Sequence, residues 1–203
     1  MKAPAVEFIE ATHAYKVNGR PVPSVTQVIT RTIGSGFEAI RGAEYYLQRG
    51  RAIHACAAFI AQGVEFEHDP AIDGWVRALR KFWHEVQPKP IHWETPLGSA
   101  RYLFAGTPDL LADVGGKFRR LLVDYKSSLS PHRCRIQLGG YSLALSETLG
   151  IECNYGIGVH LRGDGTYRAT APFDLRTARN EFLALRTTYA ILEQVNGEPK
   201  EQE

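Results

Sequence analysis

Apolar and polar residues near the start of the chain alternate with a short, strand-like period. Residues 6–22 therefore predict short strands, and Asn18-Gly19 between them is typical of a type I′ hairpin turn. Ser24, which follows Pro23, is a favourable N-cap for a helix that begins at Val25. We expect residues 1–36 to form a hairpin and a short helix.

The rest of the chain switches between helical and strand-like periods. Helices are predicted over residues 37–62 with a break near Gly50, and over 71–86, 133–149 and 174–195. Strands are predicted over 91–97, 101–104, 107–114, 119–125, 154–161 and 167–172. This order of elements predicts an α/β (α+β) fold in which helices flank a central mixed β-sheet.

Composition narrows the class of protein. With 203 residues, 44% of them hydrophobic, the chain is long enough for a single domain with a substantial core. Three cysteines without a CxxC pair are too few for a four-cysteine iron–sulfur cluster and do not suggest a disulfide framework, so we expect neither. No apolar run predicts a signal peptide or a membrane span, so a cytoplasmic protein with no membrane partner is expected.

The net charge of +2 conceals a local asymmetry. Residues 115–137 contain six cationic residues and one carboxylate, and the cations include Arg119, Arg120, Arg133 and Arg135. Residues 192–203 are acidic instead and are expected to form a flexible tail. A basic segment can follow a phosphate backbone, so these four arginines are candidate contacts to a nucleic acid.

The hairpin predicted around Gly115-Gly116 carries the most specific chemical signal. A two-residue turn there places Asp124 opposite Thr107. Asp109, Asp124 and Lys126 then project from one face of the sheet, with the two carboxylates roughly 7–8 Å apart at the backbone. Carboxylates this close repel unless a cation bridges them, and oxygen ligands suit Mg²⁺. The alternative is an ordinary surface hairpin, because a D/E-x-K tripeptide also occurs in the acidic tail.

Two features upstream of this hairpin add candidate ligands. Glu94, on the strand that precedes the hairpin, offers a third carboxylate or is an exposed edge-strand residue. Gly50 and His54 lie one helical turn apart among several alanines, so this helix can approach another element closely and direct His54 at it. The alternative for His54 is a buried core histidine.

A helix downstream of the hairpin offers a polar stripe. Arg133, Gln137 and Tyr141 are four residues apart on a helix whose other faces are apolar. Gly139-Gly140 in mid-helix costs about 1 kcal/mol per residue relative to alanine, which indicates a close packing partner there. The alternative is a core helix with an amphipathic edge.

The order of these residues resembles the RecB-like branch of the PD-(D/E)xK nuclease superfamily. Its pattern of GxxxH, an acidic residue, GxxD, (D/E)xK and QxxxY is matched here by Gly50–His54, Glu94, Gly106–Asp109, Asp124–Lys126 and Gln137–Tyr141. His13-x-Tyr15 and Pro23–Thr26 also resemble the start of phage-type and mitochondrial genome maintenance exonucleases. The resemblance spans about residues 13–145.

The resemblance implies a restriction-endonuclease-like core that hydrolyses DNA phosphodiesters with one or two Mg²⁺ or Mn²⁺ ions. It implies metal ligands at His54, Asp109, Asp124 and the main-chain carbonyl of Tyr125, with Glu94 assisting. Lys126 would position the attacking water, and Gln137 and Tyr141 would support the site and contact DNA. Additional phosphate donors are expected at Ser24, Thr26, Arg41 and Arg51.

These expectations amount to a bacterial or phage DNA exonuclease that acts on single strands or duplex ends. Recombination, repair or phage DNA processing is the expected setting, with a recombination or single-strand-binding protein as a candidate partner. An endonuclease of the same superfamily, such as a junction resolvase or a restriction-type enzyme, is one alternative. A non-catalytic DNA-binding module is another, and the presence of Asp109, Asp124 and Lys126 argues against it.

Overall fold

The computed structural model describes residues 2–34 and 43–197. Their helices are Val25–Ile33 (α1), Ala43–Gln62 (α2), Asp73–Val86 (α3), Pro131–Leu149 (α4) and Leu175–Gly197 (α5). Their strands are Val6–Ile9 (β1), Ala14–Val17 (β2), Arg20–Val22 (β3), Lys89–Trp93 (β4), Leu97–Ser99 (β5), Phe104–Gly106 (β6), Leu110–Asp113 (β7), Leu121–Lys126 (β8), Tyr155–Leu161 (β9), Tyr167–Ala169 (β10) and Phe173–Asp174 (β11). Short 3₁₀ turns cover Glu10–Thr12, Pro70–Ile72 and Gly116–Phe118.

A central sheet divides the apolar core into two layers. Its strand order is β10-β9-β8-β7-β4, with β11 also paired to β9. Strands β8 and β9 are parallel, and the other pairs in this sheet are antiparallel. Helices α1, α4 and α5 pack on one face, and α2 and α3 pack on the other. The predicted α/β fold with a central mixed sheet flanked by helices is therefore confirmed.

The N-terminal segment forms the expected hairpin and capped helix. Asn18 and Gly19 have φ angles of 50° and 77°, as a type I′ turn requires, and β1, β2 and β3 form a small separate sheet. The Ser24 hydroxyl accepts a hydrogen bond from the Gln27 amide at 3.0 Å. The Gln27 side chain in turn accepts one from the Ser24 amide at 2.8 Å. This reciprocal capping box fixes the start of α1.

The turn between β7 and β8 is wider than predicted. Leu111 pairs with Leu122, two residues away from the expected register, because a 3₁₀ turn at Gly116–Phe118 replaces the two-residue turn. Strand side chains alternate with a period of two, so a shift of two leaves Asp109 and Asp124 on one face. Continuing the observed register places these two residues directly opposite each other instead of diagonally.

Three other predicted boundaries are wrong. Helix α2 runs through Gly50 without a break, since a single glycine costs only about 1 kcal/mol in a helix of 20 residues. Glu94 follows the end of β4 with a φ of 40° and is not part of the strand. Residues 101–103 form a turn. The part of the predicted helix at 37–42 lies outside the described residues.

Helix α4 lies unusually close to both α5 and the sheet. A Cβ added at Gly139 would collide with the backbone of Ala178, and one at Gly140 would lie 3.0 Å from the Phe182 ring, so α5 is the packing partner predicted for this glycine pair. On the sheet side, a Cβ at Gly158 would lie 2.7 Å from the sulfur of Cys134. The glycines therefore let α4 pack closely against α5 on one side and against β9 of the sheet on the other.

The cysteines and the chain's end complete the fold. Cys56, Cys134 and Cys153 are buried free thiols. Residues 192–197 belong to α5, so the helix continues into the region predicted to be a flexible tail, and residues 198–203 lie outside the described part. Within 2–34 and 43–197, none of the helices is both long and apolar enough to cross a membrane.

Candidate active site

A cavity of about 670 Å³ opens beside the C-terminal end of β8. Helix α2, the start of α1, the turn after β4, the start of β7 and the middle of α4 each contribute to its lining. The predicted site residues that line it are Ser24, Thr26, Arg51, His54, Glu94, Asp109, Lys126, Gln137 and Tyr141. Residues more than a hundred positions apart in sequence thus meet in one concave surface.

Three side chains in this cavity form a candidate metal-binding cluster. Ligand atoms of His54, Glu94 and Asp109 all lie within 4.8 Å of one another. Nδ1 of His54 is 2.8 Å from Oδ1 of Asp109 and 3.9 Å from Oε1 of Glu94. One imidazole nitrogen and two carboxylates are donors that a divalent cation such as Mg²⁺ or Mn²⁺ accepts, so the residues present fit the expected ion.

The electrostatics of the cluster favour a cation. Burial and the neighbouring Asp109 carboxylate raise the pKa of Glu94 to about 7. Burial opposes ionisation of Asp109, but the charge and hydrogen bond of His54 outweigh it, and the pKa of Asp109 is lowered. Burial likewise opposes the His54 imidazolium, yet Asp109 outweighs it and raises the pKa of His54. Two crowded carboxylates therefore create a negative potential that an added cation would relieve.

Backbone contacts hold Asp109 in place at the start of β7. Its side chain is 7% exposed, and Oδ2 accepts a hydrogen bond from the main-chain amide of Tyr125 at 2.6 Å. The main chain of Tyr125, whose carbonyl the resemblance implies as a ligand, thus lies against the cluster. The Tyr125 ring packs on the other face of the sheet, near Phe82.

Asp124 lies behind the cluster and is engaged by other side chains. It is 1% exposed, and its Oδ1 lies 2.7 Å from the Lys126 ammonium and 3.2 Å from the Gln137 amide nitrogen. That amide also donates to the Tyr141 hydroxyl at 3.0 Å, and the Cys134 thiol lies 3.5 Å from Asp124 Oδ2. Asp124 is therefore not part of the three-residue cluster, and Lys126 is its counter-charge.

The structure does not bring the predicted arginines of the basic segment to this cavity. Arg119 and Arg120 lie with Lys117 around a smaller cavity of about 280 Å³ at the opposite end of β8. Arg135 pairs with Glu181 of α5 at 2.6 Å. Arg133 reaches the Ile33 carbonyl at 3.4 Å. Arg41 lies outside the described residues. Of the arginines predicted to contact phosphate, Arg51 lines the main cavity.

Several cavity residues were missed by sequence reasoning. The Tyr15 hydroxyl of β2 lies 2.9 Å from the Thr107 hydroxyl, and both residues line the cavity. Tyr46 and Leu47 line it from α2. They precede Gly50 and Arg51 by four residues each, so the helical period that joins Gly50 to His54 could have identified them.

Comparisons with known proteins say little about the family or the function of the chain. No protein-family model matches the chain, and no curated protein matches it. Among solved structures 13 chains match. One is an alkaline exonuclease from Laribacter hongkongensis, with 13% identity and a TM-score of 0.36 over 85% of this chain and 92% of that chain. A likeness of this degree assigns neither family nor activity, so function has to be inferred from the site.

Proposed function

We propose that this chain is a single nuclease domain that hydrolyses DNA phosphodiester bonds with a divalent metal ion, acting as an exonuclease. One observation carries the proposal. His54, Glu94 and Asp109 converge within 4.8 Å of one another in a cavity that Lys126 and Arg51 also line. Carboxylates and a histidine beside cations are suited to a metal ion and a phosphate group together.

His54, Glu94 and Asp109 would hold the ion, which we propose to be Mg²⁺ or Mn²⁺. When bound, such an ion polarises a phosphoryl oxygen and lowers the pKa of a coordinated water. A ligand role for Asp124 requires its carboxylate to exchange the Lys126 ammonium, 2.7 Å away, for the ion. The adjacent main-chain carbonyl of Tyr125 would then be a further ligand of the ion.

Other side chains would orient the substrate and its charge. Lys126 lines the cavity and carries a cation whose pKa is raised, because the attraction of Asp124 and Asp109 outweighs burial. It would stay protonated and stabilise charge on the phosphoryl oxygens. Gln137 donates to Asp124 and to the Tyr141 hydroxyl, and both residues would border the DNA path. Arg51, Ser24 and Thr26 would donate to flanking phosphates.

The shape of the cavity supports action at chain ends. Tyr15 of the N-terminal sheet, Ser24 at the start of α1 and residues of α2 all line the cavity. A concave site enclosed by three separate elements admits a strand end more readily than a continuous duplex. We propose single-stranded or duplex DNA ends as the substrate, in the setting of recombination, repair or phage DNA processing.

Digestion of end-labelled linear DNA and covalently closed circular DNA in Mg²⁺ or Mn²⁺ tests the proposal. We expect linear DNA to be degraded from its ends, circular DNA to persist, and EDTA to abolish cleavage. Asp109→Ala should be inactive, whereas Glu65→Ala, which removes an exposed carboxylate outside the cavity, should match the wild type.

Two results would contradict it. Full activity of Asp109→Ala, or activity in excess EDTA, would show that cleavage does not depend on a metal ion held at this site. Cleavage of circular and linear DNA at equal rates would replace the exonuclease with an endonuclease of the same chemistry.

A further inference from the structure

Helix α2 presents a continuous stripe of residues to the cavity. The stripe consists of three adjacent pairs spaced by one helical turn, and its members are Tyr46, Leu47, Gly50, Arg51, His54 and Ala55. His54 lies at the metal-binding end, Arg51 is one turn away, and Tyr46 and Leu47 form the outer end. The proposed function uses His54 and Arg51 but leaves the outer pair without a role.

The outer pair exposes large apolar side chains beside a charged cavity. Tyr46 is 40% exposed and Leu47 is 58% exposed. Gly50, one turn inward from Tyr46, has no neighbouring group within 4 Å of an added Cβ, so the cavity is open between the Tyr46 ring and His54. An apolar rim with the Arg51 cation one turn inward suits the base and the phosphate of one nucleic acid strand.

Tyr46 is held in position by a stack of other groups. The Arg49 guanidinium carbon lies 4.9 Å from the Tyr46 ring centroid and 4.4 Å from that of Trp75 on α3. Arg49 also donates to the Ser127 hydroxyl at 3.4 Å, one residue beyond Lys126. The Tyr46 ring is thereby tied both to α3 and to the strand end that carries Lys126. A braced aromatic ring loses less entropy on stacking than a free one.

We propose that Tyr46, flanked by Leu47, is a stacking platform for an unpaired nucleobase of the DNA strand that enters the cavity. The identity of the ligand rests on the proposed function. Stacking on an aromatic ring tolerates any base, because every base has a π-face. The platform requires an unpaired base, so it favours single strands and frayed ends over blunt duplex.

The position of the platform predicts which nucleotide it contacts. Tyr46 precedes His54 by eight residues, which is about 12 Å along a helix at 1.5 Å per residue. Stacked nucleotides rise by about 3.4 Å each, so this distance corresponds to roughly three to four nucleotides. The stacked base is therefore expected about three to four positions from the cleaved phosphate.

Binding of oligonucleotides in EDTA tests the platform without cleavage. The probes are a fluorescent 12-residue oligothymidylate and versions in which a single abasic site is moved along the strand. We expect an abasic site within a short window to weaken binding to the wild type by about tenfold. Tyr46→Ala should bind the intact strand about tenfold more weakly and be insensitive to abasic sites. Tyr46→Trp should retain the sensitivity.

Phe59→Ala is the matched control, because Phe59 is an aromatic residue of the same helix, is 39% exposed and does not line the cavity. It should behave as the wild type. Tyr46→Ala with unchanged sensitivity to abasic sites, or Phe59→Ala with an equal loss, would overturn the proposal.

The outcomes also separate this inference from the proposed function. Sensitivity to abasic sites that depends on Tyr46, without cleavage in Mg²⁺ or Mn²⁺, would keep the platform and refute the nuclease. Cleavage by the wild type, together with a Tyr46→Ala variant that binds the intact strand as tightly as the wild type and stays sensitive to abasic sites, would keep the nuclease and refute the platform. Absence of oligonucleotide binding by the wild type would refute both.

Arg49→Lys tests the brace. It retains the charge but removes the planar group that stacks between Tyr46 and Trp75. Sensitivity to abasic sites should fall while the salt dependence of binding is unchanged. A changed salt dependence with intact sensitivity would mean that Arg49 contacts phosphate and does not position Tyr46.

Discussion

At the scale of single residues, each buried carboxylate of the site is paired with its own cation. Asp124 is 1% exposed and depends on the Lys126 ammonium 2.7 Å away, whereas Asp109 is neutralised mainly by His54. The two carboxylates face each other across β7 and β8, yet each has its own cation. Lys126 is therefore part of the fold as well as of the proposed chemistry.

Replacing Lys126 should destabilise the protein. In Lys126→Met the Asp124 carboxylate stays buried without its counter-charge, which we expect to lower the free energy of unfolding by about 3 kcal/mol. The double variant Asp124→Asn with Lys126→Met should recover most of this loss, since an amide needs no counter-charge. Urea unfolding in EDTA measures both. Equal stability of the wild type and Lys126→Met would show that Asp124 is not held by Lys126.

The sequence predicted that Asp109 and Asp124 lie together, but it did not predict which cation pairs with each of them. Strand periodicity placed Asp109 and Asp124 on one face, in agreement with the structure. The partition of their charges depends on His54 arriving from a helix 55 residues earlier, which no local pattern specifies. Tyr46 was overlooked because an exposed tyrosine is unremarkable until the helix is seen to border a cavity.

At the scale of elements, glycine has different structural roles in helices α4 and α2. In α4, Gly139 lies against the backbone of Ala178, so its missing side chain is required for packing. In α2, Gly50 faces open space in the cavity, so packing does not require it. The same residue type thus marks a helix contact in one case and a lining position in the other.

The same substitution should therefore change stability in opposite directions. Gly139→Ala should lower the free energy of unfolding by about 1–3 kcal/mol, because the added methyl group collides with main-chain atoms that cannot move aside. Gly50→Ala should raise it by up to about 1 kcal/mol, because alanine favours the helix and meets no neighbour. Denaturant unfolding of the two variants measures the difference. Stabilisation by Gly139→Ala would contradict the close contact between α4 and α5.

Element types were predictable, and the turn at Gly115-Gly116 was not. Glycine pairs commonly form two-residue hairpin turns, but here the chain continues into a 3₁₀ turn through Phe118. Asp109 and Asp124 still lie on the predicted face because the register of β7 and β8 shifted by an even number of residues. An odd shift would have moved Asp124 to the opposite layer, and local sequence does not discriminate between the two.

At the scale of the whole molecule, four cations of the basic segment are divided between the two ends of β8. Lys126 lies at the main cavity, while Lys117, Arg119 and Arg120 surround the smaller cavity at the other end of β8. Strand β8 has six residues, so Leu121 and Lys126 are five steps apart, which is roughly 17 Å at 3.3 Å per step. Lys126 and the three cations at the other end of β8 therefore line different cavities.

Salt dependence of DNA affinity should distinguish the two ends. Arg51→Gln removes a cation from the main cavity and should lower the log–log slope of affinity against salt by about 0.7–0.9. Replacing both Arg119 and Arg120 with glutamine should leave the slope for a short single strand unchanged. Fluorescence anisotropy in EDTA over a range of salt concentrations measures it. A lower slope only in the second variant would place the DNA path at the far end.

The distance between the two ends also decides how the protein can be handled. Arg119 and Arg120 are exposed at the end of β8 away from the main cavity. A tether or dye attached there, for example through an Arg119→Cys thiol, would leave the cavity mouth open to incoming strands. Conversely, retention on a heparin column reports on this cluster as well as on the cavity, so retention alone is a poor measure of an intact site.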